Sequence, residues 1–261
     1  MLVAEPIVID GQRAWLKQYR QGERALALGA LAFVSRRLGL EALHPPPHRG
    51  GDAACVIESR RLAELRSQDV NVPQVIGQGR ASLLLSDTGR SLATCLREAD
   101  EAARDALVAQ ALAAIAEAHR HGAYFGQPVP RNMTYDGREI GFIDFEEDPL
   151  EVMGLEQAQA RDWLMSGYGI AKYYSDRLDV LQRLLMQALA EARAPVLAHA
   201  HAVTGRLQRL ARIGLKLGRS GRALAQSIAV IHAATALGML LMAGISVDGI
   251  ELPLDLLTPL G

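Results

Sequence analysis

The stretch HRHGAYFGQPVPRNMTYDGREIGFIDFEEDP, residues 119–149, gathers side chains suited to phosphate chemistry. Asn132 lies five residues after Gln127, and Asp144-Phe145-Glu146 begins twelve residues after Asn132. A phosphoryl donor needs magnesium to offset the charge on its phosphates, and magnesium takes hard oxygen ligands. The amide oxygen of Asn132 and the carboxylate of Asp144 are ligands of that kind, in order and flanked by hydrophobic residues.

This stretch resembles the small-molecule and lipopolysaccharide-sugar branch of the protein-kinase-like superfamily, which includes aminoglycoside phosphotransferases and core-sugar kinases. In those enzymes a helix ending in histidine leads into a loop H-G-D-x-x-x-x-N, followed by a strand pair and D-F-G or D-F-E. Here His119 closes the helix, Phe125-Gly126-Gln127 fills the H-G-D place, and Asn132 ends the loop. Tyr135-Asp136-Gly137-Arg138 is the turn of the strand pair, and Asp144-Phe145-Glu146 follows it. The resemblance covers about residues 6–175, specifically at 119–149 and loosely elsewhere.

What the resemblance implies is an α+β, two-lobed fold. A small β-rich N-terminal lobe would take residues 1–90 and a helical lobe 91–190; charge and hydropathy set 191–261 apart as a basic and apolar helical region. It implies a phosphotransferase moving phosphate from ATP, with Mg²⁺, to a hydroxyl acceptor, a lipopolysaccharide sugar being one candidate. Lys17 on a strand would hold phosphate, paired with Glu58 from a helix. Asn132 and Asp144 would carry Mg²⁺, Gln127 would orient the acceptor hydroxyl, and Asp162 in QARDWL would brace the loop.

Two departures stand against that pattern. Gln127 occupies the place of the loop aspartate, and an amide is not a useful base near neutral pH; losing a general base typically costs ~10²–10⁴-fold in rate. Only sixteen residues precede Lys17, and they hold no glycine-rich phosphate loop. The alternative is therefore a pseudokinase, a membrane-associated binding or scaffold module without turnover. His119 reads as a packed helix-end histidine. Glu146, Glu147 and Asp148 read as a solvated acidic turn, with a substitute base or extra metal ligand as the other reading.

The elements that must position these residues follow from the patterning. Residues 6–19 predict a hairpin around Asp10-Gly11, a turn dipeptide of two-residue hairpins. Helical spacing continues over 23–40, and three successive prolines in the loop 44–52 end it. A second helix is expected at 53–68, and short strands at Val72, Val75 and Ile76 and at 82–85. An Ala-rich helix covers 98–121, a strand pair falls within 133–144, and the remainder is mostly helical.

The 261 residues are 49% hydrophobic and 22% charged, enough apolar surface for a sizeable core. Cys55 and Cys95 form no CxxC pair or disulfide framework, and no apolar leader opens the chain, so a cytoplasmic setting is expected. The net charge of −1 conceals an asymmetry. Residues 192–247 carry seven Lys and Arg and no Asp or Glu, against 21 basic and 29 acidic residues elsewhere. Arg206, Arg209, Arg212, Lys216, Arg219 and Arg222 form one stripe on a helix, and residues 223–247 carry no formal charge. Such a run suits either a membrane-spanning helix or a buried one. With no aromatic residue in 192–247 for base stacking, the stripe points to an anionic membrane surface at its cytoplasmic side rather than to nucleic acid.

Overall fold

The computed structural model describes residues 3–20, 40–214 and 218–243; the helix expected over 23–40 lies almost wholly outside them. The chain is α+β, with a small antiparallel sheet in its N-terminal region and a mostly helical remainder. Strands β1 (Val3–Ile9) and β2 (Gln12–Gln18) form the expected hairpin. Its turn residues Asp10 and Gly11 both have positive φ, 50° and 77°, the backbone that lets a two-residue turn follow the strand twist. β3 (Val75–Gly79) and β4 (Ser82–Ser86) complete the sheet in the order β1-β2-β4-β3, with Lys17 opposite Leu83. Leu83 and Leu85 turn inward and are buried, as period-two alternation requires.

Helix α1 (Gly51–Ser67) begins directly after the proline loop and packs on β4. Its buried positions include Ala54, Cys55, Glu58, Leu62 and Leu65, spaced at three and four residues. The Ala-rich helix expected at 98–121 is α3 (Glu101–Arg120), and a short helix that was not expected, α2 (Leu92–Glu98), precedes it. The break comes at Asp100, whose side chain accepts from the Ala103 amide at 2.8 Å and caps α3. A second sheet of β5 (Arg90–Ser91), β6 (Met133–Tyr135) and β7 (Ile140–Phe142) supplies the anticipated strand pair. Asp136 Oδ1 closes its turn by accepting from the amides of Arg138 and Glu139, each at 2.8 Å.

The helical part continues with α4 (Leu155–Ala171), α5 (Leu178–Leu189), α6 (Ala194–Gly214) and α7 (Gly218–Met242). α7 packs on α4, α5 and α6, and Val230, Ile231 and Ala234 enter the same buried cluster as Leu83 and Leu112. Ile231 lies so close to Gly167 of α4 that a Cβ there would come within 2.7 Å of it. Among the described residues, no helix is long and apolar enough to cross a membrane. The uncharged run from Ala223 is instead interior packing as far as it is described, and Thr235 and His232 are hydrogen-bonded there. Thr235 Oγ1 donates to the His232 carbonyl at 2.9 Å. His232 also stacks on His201 of α6, ring centroids 4.0 Å apart, and its Nδ1 meets Thr204 Oγ1 at 3.0 Å. The basic stripe does not run along one helix: Arg206, Arg209 and Arg212 fall on α6 and Arg219 and Arg222 on α7. The side chains of Arg209, Arg212, Lys216, Arg219 and Arg222 lie outside the described residues.

Candidate functional site

β2, α1 and the turn after β7 converge on one ion cluster. Lys17 Nζ donates to Glu58 Oε1 at 2.8 Å and Oε2 at 2.6 Å, and to Asp144 Oδ1 at 2.9 Å. Lys17 is 6% exposed and Glu58 1%, so both charges are withdrawn from water and must be compensated within the protein. Glu58 receives two further donors, the Tyr19 hydroxyl at 2.5 Å and the Phe145 amide at 3.3 Å. Burial pulls the Lys17 ammonium toward its neutral form, but the Glu58 and Asp144 carboxylates outweigh it and hold the pKa above the ordinary lysine value. Burial, reinforced by Glu58, pushes the Tyr19 phenol far up, leaving it a neutral donor.

Asp144 itself sits at φ 76°, a left-handed backbone uncommon outside glycine. That conformation turns the chain between β7 and the acidic residues while leaving the carboxylate about one-third exposed. Strain of this kind persists only where neighbours over-determine it. Here the Phe145 amide bonds Glu58 and the Ile143 amide bonds the Asn132 carbonyl at 2.9 Å.

The loop between α3 and β6 is held from beneath by Asp162 of α4. Fully buried, Asp162 accepts from the Phe125 amide at 2.8 Å and the Gly126 amide at 2.6 Å, and it faces His119 Nε2 at 3.1 Å. Gly126 has φ 90°, and a Cβ there would meet the Pro149 ring at 2.8 Å, so backbone and space both require glycine. Arg161, the neighbour of Asp162, donates to the Gly126 carbonyl at 2.9 Å. His119 is packed, as expected, edge-on to Trp163 with ring centroids 5.4 Å apart.

Two cavities meet at Asp144. The first, about 350 Å³, is lined by Lys17, Glu58, Asn132 and Asp144 on one side and by Trp15, Leu85 and other apolar residues on the other. The second, about 100 Å³, is lined by Gln127, Asp144, Glu146, Glu147, Arg131 and Arg161. Four of the five sequence candidates therefore share the larger space, and Gln127 faces the smaller one across Asp144. A wider cavity of about 910 Å³, bordered by Arg66, Asn71 and Arg90, contains none of the five.

Two oxygen donors of the kind a hard divalent ion takes are left unspent. Asn132 spends its Nδ2 on the Gln127 carbonyl at 3.1 Å, which leaves its amide oxygen as the unspent group. Asp144 engages Lys17 through Oδ1, leaving Oδ2. Among the described residues, no group of three or more His, Cys, Asp or Glu could hold a metal by itself. Two protein oxygens completed by phosphate and water are the usual magnesium arrangement.

The acidic residues after Asp144 do not form a solvated turn. Asp148 is 5% exposed, bonded to Arg60 at 2.5 Å, to the Tyr124 hydroxyl at 2.7 Å and to the Leu150 amide at 3.0 Å. Glu146 is half-buried, and burial followed by the nearby Asp144 charge raises its pKa. Glu147 is gripped by His48 and Gln127. Sequence reasoning also missed Tyr19 and Arg161, whose types are ordinary and whose partners lie far along the chain; the only signal at Arg161 was its place beside Asp162. No family model matches this sequence, and the curated proteins include no match to it.

Proposed function

We propose that this chain is a kinase-like phosphotransferase that moves a phosphoryl group from a nucleotide such as ATP to a hydroxyl, with lipopolysaccharide-type sugars as the acceptor class. The observation that carries the reading is the Lys17–Glu58–Asp144 cluster beside Asn132 in one cavity. A buried, charged lysine fixed between two carboxylates is already in position. Giving up its bond to the part-exposed Asp144 would free an N–H for a phosphate oxygen. Trp15, Leu85 and Ile143 give the same cavity an apolar wall suited to a planar base. Asn132 and Asp144 would hold Mg²⁺, which when bound neutralises charge on the phosphates. Gln127, from the adjoining cavity, would orient the acceptor hydroxyl by hydrogen bonding. The basic residues of 206–222, on α6 and α7, would draw the protein to an anionic membrane surface.

A second reading is a pseudokinase, a binding module without turnover. It is favoured by the two-residue turn Asp10-Gly11, which leaves no glycine-rich lid, and by the amide at Gln127. Isothermal titration with ATP, with and without Mg²⁺, separates nucleotide use from its absence. Mg²⁺-dependent binding that Asp144→Ala abolishes is the expected result. No binding at millimolar nucleotide would remove the phosphotransferase reading and leave the module.

A further inference from the structure

We propose that Glu147 is the general base of this site, taking over from the loop carboxylate that Gln127 replaces; the proposal rests on the phosphotransferase reading above. Gln127 Nε2 donates to Glu147 Oε2 at 3.4 Å, so the amide at the loop position hands its hydrogen bond to this carboxylate. The other oxygen, Oε1, faces His48 Nδ1 at 3.1 Å, which fixes the carboxylate from the proline loop. Both side chains are largely enclosed, Glu147 at 20% and His48 at 14% exposure. Glu147 and Gln127 line the small cavity that adjoins the phosphate side at Asp144. A hydroxyl that enters this cavity and meets the Gln127 amide is therefore also within reach of a carboxylate oxygen.

The neighbouring acids are otherwise engaged. Asp148 is spent on Arg60, Tyr124 and Leu150 and does not line the cavity. Glu146 lines it, but its strongest charged neighbours are Asp144, Lys17 and Glu58, on the phosphate side, and Gln127 does not donate to it. The groups around Glu147 are His48 from the proline loop, Gln127 and Arg131 from the catalytic-like loop, Asp144 and Glu146 on its own turn, and Arg161 from α4. The buried Arg161 guanidinium is close enough to Glu147 for the two charges to interact.

The step balances without further reagents. The acceptor oxygen attacks the terminal phosphorus of the nucleoside triphosphate, and its proton passes to a Glu147 oxygen. The bond from that phosphorus to the bridging oxygen breaks, and the nucleoside diphosphate leaves with the electron pair. A carboxylate can take this proton near neutral pH where an amide cannot.

The test uses the full chain, Mg²⁺ and ATP, with water as acceptor and phosphate release as the signal. Glu147→Gln, which keeps the size and the His48 contact, is expected to bind Mg²⁺–ATP like the wild type by titration while hydrolysis falls ~10²–10⁴-fold. Adding Gln127→Asp to Glu147→Gln should return hydrolysis by restoring a loop carboxylate. Wild-type hydrolysis in Glu147→Gln, or joint loss of binding and hydrolysis, overturns the base assignment. So does a wild type that binds nucleotide and releases no phosphate above background; in that case the nucleotide site itself stands. A wild type that does not bind nucleotide overturns the underlying reading, and the base with it.

Discussion

Replacing Lys17 with methionine tests the ion cluster apart from any activity. The substitution keeps the unbranched stem and removes three hydrogen bonds, two to Glu58 and one to Asp144. The two carboxylates do not suffer equally. Asp144 is 36% exposed and regains water, so its loss is screened and contributes little. Glu58, 1% exposed, cannot reach water, and breaking a buried pair by removing one partner typically costs about 3–5 kcal/mol. The Tyr19 hydroxyl and the Phe145 amide still donate to Glu58, which puts the expected loss near the lower end, about 3 kcal/mol. Urea unfolding at neutral pH measures it, with the slope checked for two-state behaviour. Adding Glu58→Gln should recover much of the loss, because a neutral amide needs no counter-charge. A Lys17→Met variant within about 1 kcal/mol of wild type, the usual size for an exposed ion pair, would refute the buried-cluster argument.

Two further outcomes follow from the packing. Asp162→Ala strands the Phe125 and Gly126 amides; with each charge-assisted bond worth about 1.5–3 kcal/mol, a loss of at least about 3 kcal/mol is expected in urea, with faster hydrogen exchange at both amides. A smaller loss with unchanged exchange would deny Asp162 its bracing role. The His201–His232 stack should make stability fall in acid. Burial lowers both pKa values from the ordinary 6.5, and for His232 the His201 charge adds to it. Between those lowered values and 6.5 the unfolded chain binds more protons, so the contribution is complete above about pH 6.5 and is lost as pH falls. Thermal melts should show this slope, reduced in His232→Gln; an identical slope in the variant would count against it.

The sequence was most legible where local chemistry decides structure. Asp10-Gly11 made the hairpin, and the triple proline ended at α1 much as turn chemistry requires. The helix expected at 98–121 appeared as α3, capped by Asp100, whereas the short α2 before it held too few residues for a helical pattern to show. Partners far along the chain were invisible. Three consecutive acids read as solvated because nothing near them announces Arg60 or His48, 88 and 99 residues away from Asp148 and Glu147. Likewise, an uncharged run cannot distinguish lipid from a helical core; that depends on whether another helix offers a surface as close as Gly167. Within the site, residue types were legible at Lys17, Glu58, Asn132 and Asp144, whereas the separation of Gln127 into its own small cavity was not.

The spacing of the ion cluster along the chain also orders events in time. Glu58 follows Lys17 by 41 residues and Asp144 by 127. At roughly 5–20 residues per second, a ribosome delivers Glu58 about 2–8 seconds after Lys17, and Asp144 about 6–25 seconds after it. In that interval one lysine and one glutamate can neutralise each other within the early sheet and helix. Asp144 arrives as a second acid against a single base, so the finished trio carries one negative charge more than positive. The Lys17–Glu58 pair is thus balanced before the chain is complete, and the excess negative charge of the cluster comes with Asp144 alone.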